Sequence, residues 1–275
     1  MASIGVIAGT GDLPIRVVRD VTEQGYETIA LAFEGFTSLE IEKTGARVYW
    51  LKLGQLGKAI DCLKENGITR VVMAGKIDKS NLLQLWRLRP DRRALGVIRR
   101  LADWRDDTVL AGIADELAIE GIKIDNITLW ASGLMARQGI LTRKDPTKHQ
   151  IEDIGFGREM ALAIGALDIG QTVVVKNRAV LVVEAIEGTD KAILRAGELN
   201  IPNSVVVKMA KPKQDMRFDV PGVGPSTIKN MMVAGARVLA IETGKTMIAN
   251  HEETINLADR AKICVIGIPA SGPII

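Results

Sequence analysis

Residues 4–24, IGVIAGTGDLPIRVVRDVTEQ, decide how the first half of the chain is read. Residues 4–8 carry no charge and read as a strand buried on both faces. Gly9, Thr10 and Gly11 then turn the chain, and over residues 13–24 the apolar positions recur at helical spacing. The alternation continues outward, with strands expected at 28–33, 47–51 and 70–74 and a helix at 56–66. Apolar strands alternating with helices predict a parallel sheet covered on both sides, with ligands taken beyond the carboxyl ends of the strands.

Past this unit the character changes. Residues 82–105, LLQLWRLRPDRRALGVIRRLADWR, hold seven arginines and two tryptophans and read as a basic amphipathic helix broken at Pro90. A helix at 107–120 follows, with Asp106 and Asp107 as N-cap candidates, and then a passage of small and apolar residues at 127–135. The most polar connection is LTRKDPTKHQ, residues 141–150, and the hydrophobic pattern restarts behind it. This places one domain at 1–133 and a second at 134–275. In the second, helices are expected at 151–167, 190–199 and 225–234. Strands are expected at 172–176, 179–184 and 204–209, the first two joined as a hairpin by Asn177-Arg178. The fold class is α/β throughout.

Bulk properties exclude more than they select. The 275 residues are 47% hydrophobic and 25% charged with only 4% aromatics, which suits cores of Ile, Val, Leu, Ala and Met. A formal charge of +3 gives no overall field that would demand nucleic acid. Cys62 and Cys264 lie far apart in apolar contexts and read as buried, reduced thiols of a cytosolic protein. The N-terminal segment lacks a basic leader and fails as a signal peptide, and no segment reaches the roughly 20 apolar residues of a membrane span. His149 and His251 stand without metal-spaced or nucleophile neighbours and receive no role.

Four stretches carry chemistry. Gly9, Gly11 and Asp12 lie where a strand passes into a helix, so backbone N–H groups can meet an anion there. Pro14 occupies the place of the third glycine of a dinucleotide fingerprint, and a tight turn with Pro at the first helical position is an equal reading. Lys76, behind the strand at 70–74, would project toward the same crevice as a point charge for phosphate. The stretch EAIEGTD, residues 184–190, and the stretch KPKQDMRFDVPGVG, residues 211–224, both follow strands. They mix carboxylates with cations as a hard-oxygen magnesium or manganese site with phosphate-binding groups would. Read from the residues alone, the simpler account comes first, with Asp190 as a helix cap and Lys211, Arg217 and Asp219 as loop ion pairs.

Taken together, GTGDLP, the GKI at residues 75–77, LDIGQTVVVKNRAVLVVEAIEGTD, ILRAG and KPKQDMRFDVPGVG resemble the LpxI family over essentially the whole chain. The resemblance implies a Rossmann-like N-terminal domain, a distinct C-terminal α/β domain and a ligand cleft between them. It also implies hydrolysis of the diphosphate of UDP-2,3-diacylglucosamine to UMP and 2,3-diacylglucosamine 1-phosphate (lipid X) in lipid A biosynthesis. Magnesium or manganese is the expected cofactor, a homodimer the expected assembly, and the cytoplasmic face of the inner membrane the expected location; residues 82–105 read either as a solvated helical face or as a surface that docks on anionic lipid headgroups. The family's essential aspartate falls on Asp219, with Asp190 and Asp215 as its helpers and Asp219 with Asp190 on the metal. Lys211, Lys213, Gln214, Arg217 and Thr189 join Gly9, Gly11, Asp12 and Lys76 as substrate- or phosphate-binding candidates. Two other readings stand beside this one: a nicotinamide-dependent oxidoreductase, and a non-catalytic nucleotide- or lipid-binding protein.

Overall fold

A computed structural model describes residues 2–75, 90–101 and 106–274. The chain divides into two compact units, Met1–Ala131 together with Met216–Phe218, and Ser132–Asp215 together with Asp219–Ile275.

The first unit runs β1 (Ser3–Ala8), α1 (Leu13–Glu23), β2 (Glu27–Phe33), β3 (Arg47–Leu51), α2 (Leu56–Glu65), β4 (Arg70–Ala74), α3 (Arg92–Arg100), α4 (Asp106–Ile119) and β5 (Lys123–Asp125). Its sheet has the order β3-β2-β1-β4-β5, and every pairing is parallel. Ile29 and Leu31 pack with Ile60 and Leu63 of α2 and Leu117 of α4, forming one core on one face of this sheet. Strand alternation turns Ile4, Val6 and Ala8 to the other face, where they are equally buried. The strand order reverses between β1 and β4, which makes that pair the switch point of the sheet.

The second unit contains β6 (Gly139–Ile140), α5 (Lys148–Ala166), β7 (Thr172–Lys176), β8 (Ala179–Val183), α6 (Thr189–Glu198), β9 (Val205–Lys208), β10 (Gly222–Val223), α7 (Pro225–Ala234), β11 (Val238–Glu242), β12 (Met247–Ile248), α8 (His251–Arg260) and β13 (Cys264–Ile268). Its main sheet has the order β6-β13-β11-β9-β7-β8. The three central strands are parallel, while β6, β7 and β8 pair antiparallel. Alternate residues feed two cores. Val173, Val207 and Ala240 meet Ile154 and Ala161 of α5. Val174, Val206 and Leu239 meet Ile193 of α6, Ile228 and Met231 of α7 and Ala258 of α8.

The Asn177-Arg178 hairpin forms with both residues at positive φ, 50° and 56°, as the right-handed twist of two-residue hairpins requires. Asp153, buried on α5, secures it by accepting from Asn177 N at 3.1 Å and Arg178 N at 2.6 Å. Helix α5 starts three residues before the expected 151, because Thr147 and Gln150 form a reciprocal capping box within the stretch read as linker. Also unforeseen are β5, the two-residue strands β6, β10 and β12, and a 3-10 helix at Leu39–Thr44. Among the described residues, no helix is long and apolar enough to cross a membrane.

Both cysteines are free and buried. Burial pushes the Cys264 thiol up to about 12, against a smaller opposing effect of its Thr142 hydrogen bond, and burial followed by Glu65 raises Cys62. The thiolate is the reacting species, so native Cys264 should label with iodoacetamide at pH 8 far more slowly than in denaturant. Equal native and denatured labelling rates, read by mass spectrometry, would contradict this burial.

Candidate functional site at the strand ends

In the first unit, the β1–α1 turn closes on the end of β4. Gly9 N donates to Ala74 O at 2.8 Å, and Gly75 sits at φ 87°. A Cβ at position 75 would stand 2.5 Å from Thr10 O and 2.8 Å from Pro14 Cγ, so two backbone segments approach here at a distance only glycine permits. Gly11 lies at φ 89° in open space, which is a conformational reason for glycine. Asp12 is exposed at the N-cap of α1 and makes no side-chain cap bond. Lys76 falls outside the described residues, as do residues 82–89 and 102–105 of the basic stripe and the side chains of Asp106 and Asp107. Of the stripe's described arginines, Arg93 pairs with Glu116 of α4 and with Glu120 just past its end, Arg100 pairs with Glu116, and Arg92 and Arg99 are exposed.

The second unit gathers its polar side chains at one end of the main sheet, where β9 and β11 finish, β8 finishes and β7 begins. The segment after β8 is braced by Arg195, which donates to Val183 O at 2.8 Å and pairs with Glu187. Glu187 lies below the usual carboxylate range, first through its own backbone N–H and then through Arg195. The bracing delivers Gly188, at φ 83°, and starts α6 at Thr189 and Asp190. Thr189 is the hub. Its hydroxyl donates to Glu184 Oε1 at 2.9 Å and accepts from Lys208 Nζ at 2.6 Å, with Thr172 Oγ1 at 3.4 Å. Glu184 and Lys208 are 6% and 3% exposed, so an acid and an ammonium sit in the interior joined through one hydroxyl. Beside them Asp190 Oδ1 accepts from Thr227 Oγ1 of α7 at 3.2 Å, which ties two helix N-termini together. Glu242, at the end of β11 and also buried, accepts from Ala210 N at 2.8 Å and pairs with Lys245 at 2.9 Å.

Five buried side-chain oxygens among the described residues have no hydrogen-bond partner, and four of them belong to this end of the sheet: Gln171 Oε1, Glu184 Oε2, Thr243 Oγ1 and Thr246 Oγ1. Buried polar atoms are paired in folded proteins, so each of these oxygens marks a point where water, an ion or a ligand completes the structure.

The 211–219 loop leaves the same sheet end and folds on itself. Lys211 Nζ pairs with Asp168 at 2.6 Å, and Gln214 Oε1 accepts from Lys211 N at 3.0 Å. Gln214 Nε2 donates to Asp219 Oδ2 at 2.6 Å, and Asp219 N donates to Asp215 O at 3.1 Å. Asp219 and Lys213 are exposed, and the Arg217 guanidinium lies 4.7 Å over the Phe218 ring. The structure thus joins Lys211, Gln214 and Asp219 in one hydrogen-bonded loop. Thr189 and Asp190 belong to a separate cluster with Glu184, Lys208 and Thr227. Lys208 and Glu242 escaped the sequence reading and Glu184 received no role in it. Their one signal is a charge that ends or directly follows an apolar strand: VVVK, VLAIE and AVLVV before Glu184.

Fold and site together define a two-unit α/β protein whose polar groups collect at the carboxyl ends of parallel strands, where this class takes its ligands. The chain belongs to the LpxI family: the model of the LpxI N-terminal domain matches residues 3–134, and that of the LpxI C-terminal domain matches residues 137–266. A curated relative, the UDP-2,3-diacylglucosamine pyrophosphatase LpxI of Caulobacter vibrioides, is 30% identical over 282 residues, covering 98% of each chain. Among solved structures, the biotin carboxylase domain of Hydrogenobacter thermophilus 2-oxoglutarate carboxylase matches at 14% identity and a TM-score of 0.29, over 65% of this chain and 36% of that one. The biotin carboxylase subunit of pyruvate carboxylase matches at 14% and 0.28, over 72% and 41%. The chain spans less than half of either structure, and likeness this slight carries no functional weight.

Proposed function

We propose that the chain hydrolyses the diphosphate of UDP-2,3-diacylglucosamine, giving UMP and 2,3-diacylglucosamine 1-phosphate (lipid X) in lipid A biosynthesis. The observation that carries this is end-to-end similarity to a relative with that named activity, over 98% of both chains. The loop holding Asp219 and the polar sheet end beside α6 supply the kind of groups the reaction needs.

Among the described residues, no three His, Cys, Asp or Glu side chains gather closely enough to enclose a metal ion. Magnesium does not need such a cage: one or two carboxylates suffice when water and substrate phosphate complete the shell. Asp219, exposed and fixed through one oxygen by Gln214, fits that demand, and in this reading Asp219 and Asp190 hold the ion. Bound there, a divalent cation would offset phosphate charge and acidify water. Gln214 orients Asp219 and is itself anchored on the Lys211 amide. Lys211, Lys213 and Arg217 supply positive charge for the phosphoryl oxygens. Thr189 offers the α6 N-terminus, with its favourable partial charge, and within the first unit Gly9, Gly11 and Asp12 form a separate phosphate-binding candidate at the start of α1. Asp215 supports the turn that presents Asp219. A homodimer on the cytoplasmic face of the inner membrane, touching lipid through the basic stripe, belongs to the same proposal.

The test is UMP release from UDP-2,3-diacylglucosamine, followed by chromatography with magnesium, with manganese and with EDTA. Metal-stimulated release that EDTA abolishes is expected. Substrate that stays intact under all three conditions would reject the activity, and equal turnover with and without EDTA would reject its metal dependence.

A further inference from the structure

Glu184 and Lys208 are two charged side chains buried in the second unit. Each is buried at the end of a strand, and the Thr189 hydroxyl joins them. A buried carboxylate and ammonium are expensive to desolvate, so a pair used only for stability is poorly favoured against apolar packing of the same volume. The Thr189 bridge also fixes proton positions. Because Lys208 donates to Thr189 Oγ1, the Thr189 hydroxyl hydrogen is directed at Glu184 Oε1. Glu184 Oε2 is left buried without a donor, at the start of a ten-residue helix and in the same strand-end region as three more unpaired oxygens. Glu184 Oε2 is open to a hydrogen donor or a cation, and with Lys208 already facing Glu184 through the Thr189 hydroxyl a neutral donor, a water or a hydroxyl, is the group that suits it.

We infer that Glu184 is a positioning residue of the hydrolytic site. Its Oε2 accepts a hydrogen bond from a water or substrate hydroxyl beside the phosphate bound at the α6 N-terminus, while Lys208 balances its charge through Thr189 and locks its orientation. This inference rests on the hydrolase reading above and adds two residues to it. Glu184 acts by holding a donor in place, and an acceptor held rigidly in a low-dielectric setting is worth most once charge develops on the reacting phosphate.

The test uses the full chain, three near-isosteric variants, Glu184→Gln, Lys208→Met and Thr189→Val, and the conservative variant Lys208→Arg. UMP release gives kcat and KM, and thermal unfolding is followed on the same samples. Glu184→Gln should lower kcat by about a hundredfold while KM stays within about threefold, because the lost interaction is made mainly in the transition state. Lys208→Met should fall similarly, and Lys208→Arg should recover part of the loss. A Glu184→Gln enzyme with near-parental kcat would overturn the inference. So would loss of the folded transition in all three variants, since the cluster would then serve the fold alone. If the parent chain releases no UMP, the hydrolase reading fails first and takes this inference with it. An active parent beside an unimpaired Glu184→Gln variant sinks only the inference.

Discussion

Asp219→Ala is expected to lower UMP release from UDP-2,3-diacylglucosamine by about a thousandfold or more, ~4 kcal/mol in the barrier, with little change in melting temperature. The two halves of that expectation come from different properties of the residue. Asp219 is exposed, and its side chain takes one hydrogen bond, from Gln214 Nε2 at 2.6 Å. Losing one exposed hydrogen bond shifts stability by about 0.5–1 kcal/mol, which is about 1–4 °C in a chain of this size. The catalytic half depends on charge. Asp219→Asn keeps an oxygen able to accept from Gln214 but removes the negative charge, so it should be nearly as inactive as the alanine variant if the carboxylate holds a cation. Full activity in Asp219→Asn would mean that the residue serves only as a hydrogen-bond acceptor. Parental activity in Asp219→Ala would remove the residue from the site altogether.

What the sequence disclosed follows how local each signal is. Residues 70–74 form β4 as read, because four consecutive apolar residues, VVMA, between Arg70 and a glycine turn leave few alternatives. Helix α7 occupies the expected 225–234: Pro225 presets its first turn, and Gly235 ends it in the left-handed region at φ 70°. Asn177-Arg178 announced its hairpin by the same kind of local chemistry. The capping box of α5 was equally visible as Thr147 and Gln150, but Pro146 and four charges made the stretch look like linker. Strands β10 and β12 gave no signal at two residues each, since their pairing arises only once the loops around them are placed. The site divides similarly. Carboxylates in EGTD and QDMRFD stand out as turn-rich stretches after strands. Lys208 reads as the ordinary solvated end of VVVK until α6 places Thr189 over it, and burial of that kind comes from tertiary packing.

Gly170→Ala is expected to be among the most damaging single-methyl changes at the polar sheet end. A Cβ at residue 170 would lie 2.0 Å from Glu184 O and 2.8 Å from Glu184 C, so the new methyl meets backbone rather than a yielding side chain. Relief requires moving the segment that leaves β8, where Glu184 N donates to Thr172 O at 2.9 Å and the Glu184 side chain meets Thr189. Overpacking of this kind costs about 3 kcal/mol, or ~6–12 °C in melting temperature. Gly67→Ala provides the contrast. Gly67 has φ 66° and nothing near its would-be Cβ, so only left-handed backbone strain opposes alanine, at about 1 kcal/mol. Calorimetry should therefore rank Gly170→Ala well below Gly67→Ala. The kinetics should separate them further, because displacing Glu184 disturbs the groups proposed to hold the reacting water or hydroxyl, whereas Gly67 follows α2 in the first unit. A Gly170→Ala protein that melts with the parent would show that the backbone at 170 and 184 does not approach this closely. One that melts low yet keeps parental kcat would show that Glu184 can shift without consequence for the reaction.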